Sequence, residues 1–483
     1  MLIACGGGGN GTSSSESIVA RGAITSLGSI WVNGVEYETP NGGSYSQDDS
    51  TSTTASYQVG QVVSLRGSRN SDGVSGTATE VDYEAELEGA ASGGAINGIT
   101  ILIASNANVA LASLDVNGNL IDNNRCEVSG FWLDNSTIEA TFVKDDDDGD
   151  NVDEVKGVVE AVPSGTSLTV HGLTFTYNGI PVTAVGNLVE IHFDPDTLIA
   201  SRVEFEDDFF DDQADGQEVE IEGAVNTDIA DLSTNCALEA DFMIDLTCID
   251  WDFVDSWEDG LTGPVDMVSG LRVEAEGHFN ADGLLLAEKI KGRGNRVRIT
   301  AIAINIVAGT NGGSGTLDVF GGAILVTAQG GLTEIDINDS SLFSSIIDGA
   351  GLEIRGIRTG ATSVLAIRIK DETVNANDHE LRAEIDENGV DSSTPNIITV
   401  MGISSIVDSN TKLEDEYIII ATGGATAEVV IDSFLNSIDD DNIVNITNGP
   451  RDVIEVRIDT STGEGTFGSP YTAIQVEIER EDD

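Results

Sequence analysis

The chain has 483 residues, too many for one ordinary core, and 84 acidic against 22 basic residues give it a net charge of −62. Such a surface repels nucleic-acid phosphates and anionic lipid headgroups, so neither nucleic acid nor peripheral binding through a basic face is expected. It attracts divalent cations and cationic polymers, and its plainer counterpart is solubility in a salty medium where screening weakens self-repulsion. No run of 18 apolar residues is present, so no helix is expected to span a membrane, and 40% hydrophobic with 5% aromatic residues suits small β-domains with Val, Ile and Leu cores.

In chain order, Met1-Leu2-Ile3-Ala4-Cys5 followed by four glycines resembles a bacterial lipobox, in which the Cys is acylated and becomes the mature N-terminus. Cys5 is the expected lipidation site, and residues 6–17 (GGGGNGTSSSES) read as a flexible tether. Each buried acyl CH₂ contributes about 0.8 kcal/mol, so two or three chains on one Cys anchor firmly. Only four residues precede Cys5, so the charged and apolar parts of an export signal are expected upstream. Gly rather than Asp after the Cys points, by analogy with lipoprotein sorting, to the outer membrane of a bacterial cell envelope. The bland reading is a chance Cys near an exposed terminus.

Self-similarity organises the rest. An alternating strand ending in Gly, about ten residues, then an alternating strand carrying Ala recurs six times. The passages run Val62–Gly67 to Ala78–Val81, Glu127–Gly130 to Ala140–Val143, Val189–His192 to Ala200–Val203 (without the Gly), Val273–Gly277 to Ala287–Ile290, Leu352–Gly356 to Ala366–Ile369, and, degenerate, Ile454–Val456 to Ala473–Val476. Successive Ala residues lie 62, 60, 87, 79 and 107 apart, a spacing of domains in series with loop insertions rather than a solenoid. A second element is a β run closed by a tight turn at Asn33-Gly34, His171-Gly172, Phe320-Gly321 and Met401-Gly402; Asn-Gly and its relatives supply the positive φ of a two-residue hairpin. A third opens the unit, Arg21-Gly22-Ala23-Ile24 and Lys156-Gly157-Val158-Val159.

The expected fold is therefore all-β, a tandem array of about six small antiparallel β-barrel-like domains, since closure removes exposed strand edges. The segments are 1–18 (lipobox and tether), 19–88, 89–156, 157–221, 222–297 (with an insertion holding Cys and Trp), 298–382 and a divergent 383–483.

At Gly22-Ala23-Ile24, Val32-Asn33-Gly34, Gly67, Gly130, Gly277, Gly356 and the recurring Ala residues, the sequence resembles domain of unknown function 5666 across most of residues 19–370. The resemblance implies tandem β-barrels in an exported, often lipid-anchored bacterial protein, and it implies no reaction. The Val273–Ile290 hairpin also looks like part of an OB-type barrel, a likeness of fold that licenses no function.

Chemistry-bearing patterns are sparse. No nucleophile elbow, phosphate loop or zinc-protease pair of His is found, and His171, His192 and His278 are expected on strand ends or turns of different repeats, not converging. The best local site is the run 145–154, where Asp146, Asp148 and Asp150 have the alternate-carboxylate spacing of a calcium loop and Asp153 or Glu154 closes the shell. The competing reading is a solvated acidic linker. Glu206-Asp207-Asp208 with Asp211-Asp212, and Asp439-Asp440-Asp441, are weaker versions. Cys236 and Cys248, twelve apart, can close a disulfide in an oxidising compartment, and Cys126 reads as a buried thiol. Trp251 and Trp257, amid acids, read as loop-packing anchors before a sugar or protein contact.

The function expected from the sequence is a lipid-anchored surface protein acting as a structural or binding module for a protein or glycan partner, with no catalysis evident. The alternatives are a polysaccharide-active enzyme with β-domain spacers, or a self-associating, calcium-responsive fibre or adhesin.

Overall fold

The structure is a computed structural model and describes residues 16–479, with breaks at 48–49, 110–113, 115–119, 147–151, 178–183, 207–208, 211–215, 228–231, 233–235, 237–239, 260, 262, 294–295, 311, 339, 376, 393–394, 416–434, 436–437, 439–452, 464 and 467–468. It is nearly all β.

Alternation along the chain puts Val, Ile and Leu on one face of each short strand, and each unit buries that face by curling its strands into a small barrel, closed by pairing in several units. In barrel 1 (16–83) the strands Glu16–Ser26, Ile30–Val32, Val35–Glu38, Val62–Arg69 and Ser75–Tyr83 close a ring. The first pairs antiparallel with the second and the fourth, the second with the third, and the fourth with the fifth, while the third runs parallel to the fifth. Barrel 2 (87–145), barrel 4 (218–292) and barrel 6 (378–479) repeat this order of pairing, which is that of an OB-type barrel. Barrel 3 (153–205) and barrel 5 (296–371) keep the hairpins and the parallel third-to-fifth pairing, but among the described residues their first strand forms no ladder with the second.

The second and third strands meet in a two-residue turn with both central residues at positive φ: Asn33 (54°) and Gly34 (78°) in barrel 1, His171 (46°) and Gly172 (70°) in barrel 3, Met401 (49°) and Gly402 (74°) in barrel 6. These are type I′ geometries, which match the twist of the flanking strands. The fourth and fifth strands carry the recurring Gly and Ala. At Gly277 the hairpin register shifts by one residue and the strand bulges, so a Cβ there would lie 2.1 Å from the Leu286 carbonyl oxygen. Gly67, Gly130 and Gly356 sit at the same bulge, each opposite its Ala (Ala78, Ala140, Ala366), and all these Ala side chains are buried.

The barrels are paired through their first strands. Leu87–Ser92 of barrel 2 pairs antiparallel with Asp153–Val158 of barrel 3, and Arg296–Ile302 of barrel 5 with Asp378–Asp391 of barrel 6. Barrel 1 skips its sequence neighbours: Glu16–Ser26 runs parallel to Glu218–Asn226 of barrel 4, with Ile18 opposite Glu218 and Arg21 opposite Ile221. Barrels in simple series do not describe this molecule. Barrels 2 and 3 share one apolar cluster and barrels 5 and 6 another. The core of barrel 4 takes in Leu133 from barrel 2 and Leu332, Ile357 and Ile367 from barrel 5, which makes barrel 4 the hub.

Candidate functional site

The polar faces of the paired sheets are where side-chain chemistry collects. Adjacent strands align charged residues into rows, and the few cations are placed against the carboxylates. Across barrels 2 and 3 one row reads Lys144, Glu127, Glu88, Glu154, His192, Arg202, each a register partner of the next. Like charges side by side repel, so the row depends on its cationic ends and on diagonal partners.

The densest group lies at the barrel 3 end of that row. His192 Nδ1 is 2.5 Å from Glu154 Oε1, and its Nε2 is 3.6 Å from Glu190 and 4.0 Å from Glu204. Burial pulls the imidazole pKa down, but the hydrogen bond and charge of Glu154, then Glu190, lift it above its ordinary value, against the pull of Arg202. His192 lies in mid-strand, and His171 shares its barrel, so the expectation of turn positions in different repeats is corrected on both counts. His171 stacks on Trp132 of barrel 2 (3.4 Å between ring centroids, 8° between planes) and its Nε2 meets the Lys156 carbonyl at 3.0 Å. Burial pushes its pKa down to about 4, so it is neutral at ordinary pH and acts as part of the seam.

Of the expected calcium ligands, Asp146, Asp153 and Glu154 are among the described residues. Asp148 and Asp150 lie outside the described residues. Asp146 and Asp153 both grip Arg125, at 2.7 and 2.6 Å, and Asp153 also accepts from Asn97 at 2.8 Å. Glu154, next along the strand, faces the other side and meets His192, because successive strand residues alternate. Arg125 thus already neutralises two of the carboxylates. Cys5, Asp207-Asp208, Asp211-Asp212 and Asp439-Asp440-Asp441 also lie outside the described residues.

Cys236 and Cys248 are joined in a disulfide with Cα atoms 5.6 Å apart, and Cys126 is buried. Beside the bridge, Trp251 stacks on Phe242 (5.7 Å) and neighbours Trp257 (6.5 Å), and both Trp residues pack against the barrel 4 core. Asp241, Asp250 and Asp252 cluster there. Asp241 accepts from the Trp251 backbone N–H and Asp250 from that of Asp252, which fixes the loop; burial and the neighbouring acids raise the Asp241 pKa.

The seams between barrels hold ion pairs that sequence reading missed. Arg272 of barrel 4, buried, reaches Glu222 (2.6 Å) and Glu139 of barrel 2 (3.3 Å) and lies over the Phe131 ring (4.3 Å). Asp266 of barrel 4 reaches Arg355 of barrel 5 at 2.5 Å. Arg69 of barrel 1 contacts Glu220 and Glu276 of barrel 4. Burial and the Glu274 carboxylate, with Glu276 adding to them, push the Glu220 pKa up to about 8 against the pull of Arg69 and Lys291. Glu220, Glu222, Glu274 and Glu276 alternate along their strands, but nothing in the sequence says that another barrel covers that face.

Comparison with known proteins adds one family. The model of the Domain of unknown function (DUF5666) matches residues 21–82, 156–204 and 256–291, which fall in barrel 1, barrel 3 and the second half of barrel 4. No curated protein matches the chain. Among solved structures, Drosophila Unr CSD456 is similar at 15% identity, over 40% of this chain and 99% of that one, with a TM-score of 0.11, a level that supports no argument about fold or function. Three segments of the chain, in three of its six barrels, therefore match domain of unknown function 5666, as tandem repeats of that domain would.

Proposed function

We propose that this chain is a structural or binding protein of the bacterial cell exterior, held to the outer membrane by acyl chains on Cys5 and presenting its barrels to a protein or glycan partner. The observation that carries the reading is the use of the cations. Described Arg and Lys side chains such as Arg69, Arg125, Arg272, Arg293, Arg355 and Lys156 are spent on ion pairs within and between barrels. They tie the barrels together and leave the excess acid of a −62 chain to face solvent. An acid-coated body built this way suits an uncharged, cationic or cation-bridged partner. The Cys236–Cys248 bridge supports an oxidising compartment. No reaction is assigned to the charged rows.

The test is made in the native bacterium with membrane fractionation and mass spectrometry of the N-terminal peptide. The reading expects a diacylated or triacylated Cys5 in the outer-membrane fraction, and release of the protein by Cys5→Ser. An unmodified Cys5 on a protein found in the cytosol would overturn it.

A further inference from the structure

The outer face of barrel 3 carries a group that neither the anchor nor the seams require. Glu190 and His192 are two apart on the strand Leu188–Asp194 and so share a face, and Glu204, on the strand Ile199–Phe205, is the register partner of Glu190. Glu154 is the register partner of His192 on the other side. One atom each from Glu154, Glu190 and His192 lies within 4.8 Å of the others.

We propose that His192 and Glu190, with Glu204, bind a divalent transition ion of the zinc class, and that Glu154 is the positioning residue that orients the His192 ring. Glu154 accepts a hydrogen bond from Nδ1–H at 2.5 Å, so that an ion displacing the Nε2 proton meets the lone pair of that nitrogen, the carboxylate–histidine–metal arrangement common at such ions. That Nε2 is buried and has no hydrogen-bond partner. Glu190 at 3.6 Å and Glu204 at 4.0 Å are too far for a hydrogen bond. The gap suits a bridging ion, because donors held about 2.0–2.2 Å from a tetrahedral centre sit roughly 3.4 Å apart. An imidazole nitrogen in the set favours zinc-class ions over calcium, which takes six to eight oxygens. Arg202, in contact with Glu204, is the internal rival for the third position.

The test is a titration of the full chain with Zn²⁺, and separately with Ca²⁺, by calorimetry and thermal melting, with His192→Gln, Glu190→Gln and Arg202→Ala beside the unmodified protein. Selective ¹⁵N labelling of histidine reports on Nε2 of His192 without any substitution. The site predicts one saturable Zn²⁺ equivalent, a melting point raised by several degrees by Zn²⁺ and not by equal Ca²⁺, and a large shift of the His192 Nε2 resonance. His192→Gln lowers affinity at least tenfold, Glu190→Gln weakens it, and Arg202→Ala tightens it. Zn²⁺ binding unchanged by His192→Gln, an equal response to Ca²⁺, or an unmoved Nε2 resonance would overturn the proposal and leave a diffuse acidic surface as the binder.

Discussion

Gly277 shows how one residue sets the shape of a barrel. The bulge brings the Leu286 carbonyl to where a side chain would start, and Ala287 stays small and buried opposite it. Gly277→Val forces the hairpin apart and is expected to cost about 1–3 kcal/mol, read as an earlier urea midpoint for the chain. The recurrence of Gly and Ala was legible in the sequence; the carbonyl that explains it was not, because the approach is made across the hairpin. Glu220 gives a residue-scale test of the seam. Its folded pKa of about 8 exceeds its ordinary 4.5, so between those values the folded chain holds a proton that the unfolded chain has lost. Stability from this group is full below about pH 4.5 and falls, by on the order of 5 kcal/mol, as pH rises to about 8. Glu220→Gln is expected to remove that slope and to raise the melting point at pH 8 relative to the parent protein. An unchanged pH profile would mean that the carboxyl is ionised in the folded state.

At the scale of strands and hairpins, period-two alternation told which side of each segment is buried, and Asn33-Gly34, His171-Gly172 and Met401-Gly402 told where the chain reverses. The same pattern could not name a strand's partner. Glu220 and Glu222 on Glu218–Asn226 are both buried, because barrels 1 and 2 bring Arg69 and Glu139 over barrel 4. Charge at a covered face is tolerable when it is paired, and it becomes costly when a partner is removed. Arg272→Ala leaves Glu139 and Glu222 buried beside each other and uncovers the Phe131 ring, with an expected loss of about 3–5 kcal/mol by denaturant melting. Adding Glu139→Gln should restore part of that loss, since one of the stranded charges is then gone. The His192 group has a similar history. Val-Glu-Ile-His placed Glu190 and His192 on one face, but Glu154 arrives from a strand 38 residues earlier and was assigned by local spacing to a calcium loop.

Over the whole molecule, six copies of one small barrel are joined in three pairs by their first strands, and the pairs are knitted through barrel 4. The all-β class and the repeated unit followed from composition and self-similarity; the pairing of barrel 1 with barrel 4, across about 200 residues, left no local trace. This arrangement makes a body of the kind the proposed role requires, since repeats that only followed one another would behave as independent beads with relative motion at each linker. The most direct test is a cross-link between Ser17 and Gln217, which directly precede the register pair Ile18 and Glu218 and hydrogen-bond in the folded chain at 2.7 Å from the Gln217 amide to the Ser17 carbonyl. In a Cys5→Ser background, Ser17→Cys with Gln217→Cys is expected to oxidise to a disulfide found by peptide mapping beside the Cys236–Cys248 bridge. Free, alkylatable thiols at 17 and 217 in a folded chain that retains Cys236–Cys248 would contradict the paired-barrel account.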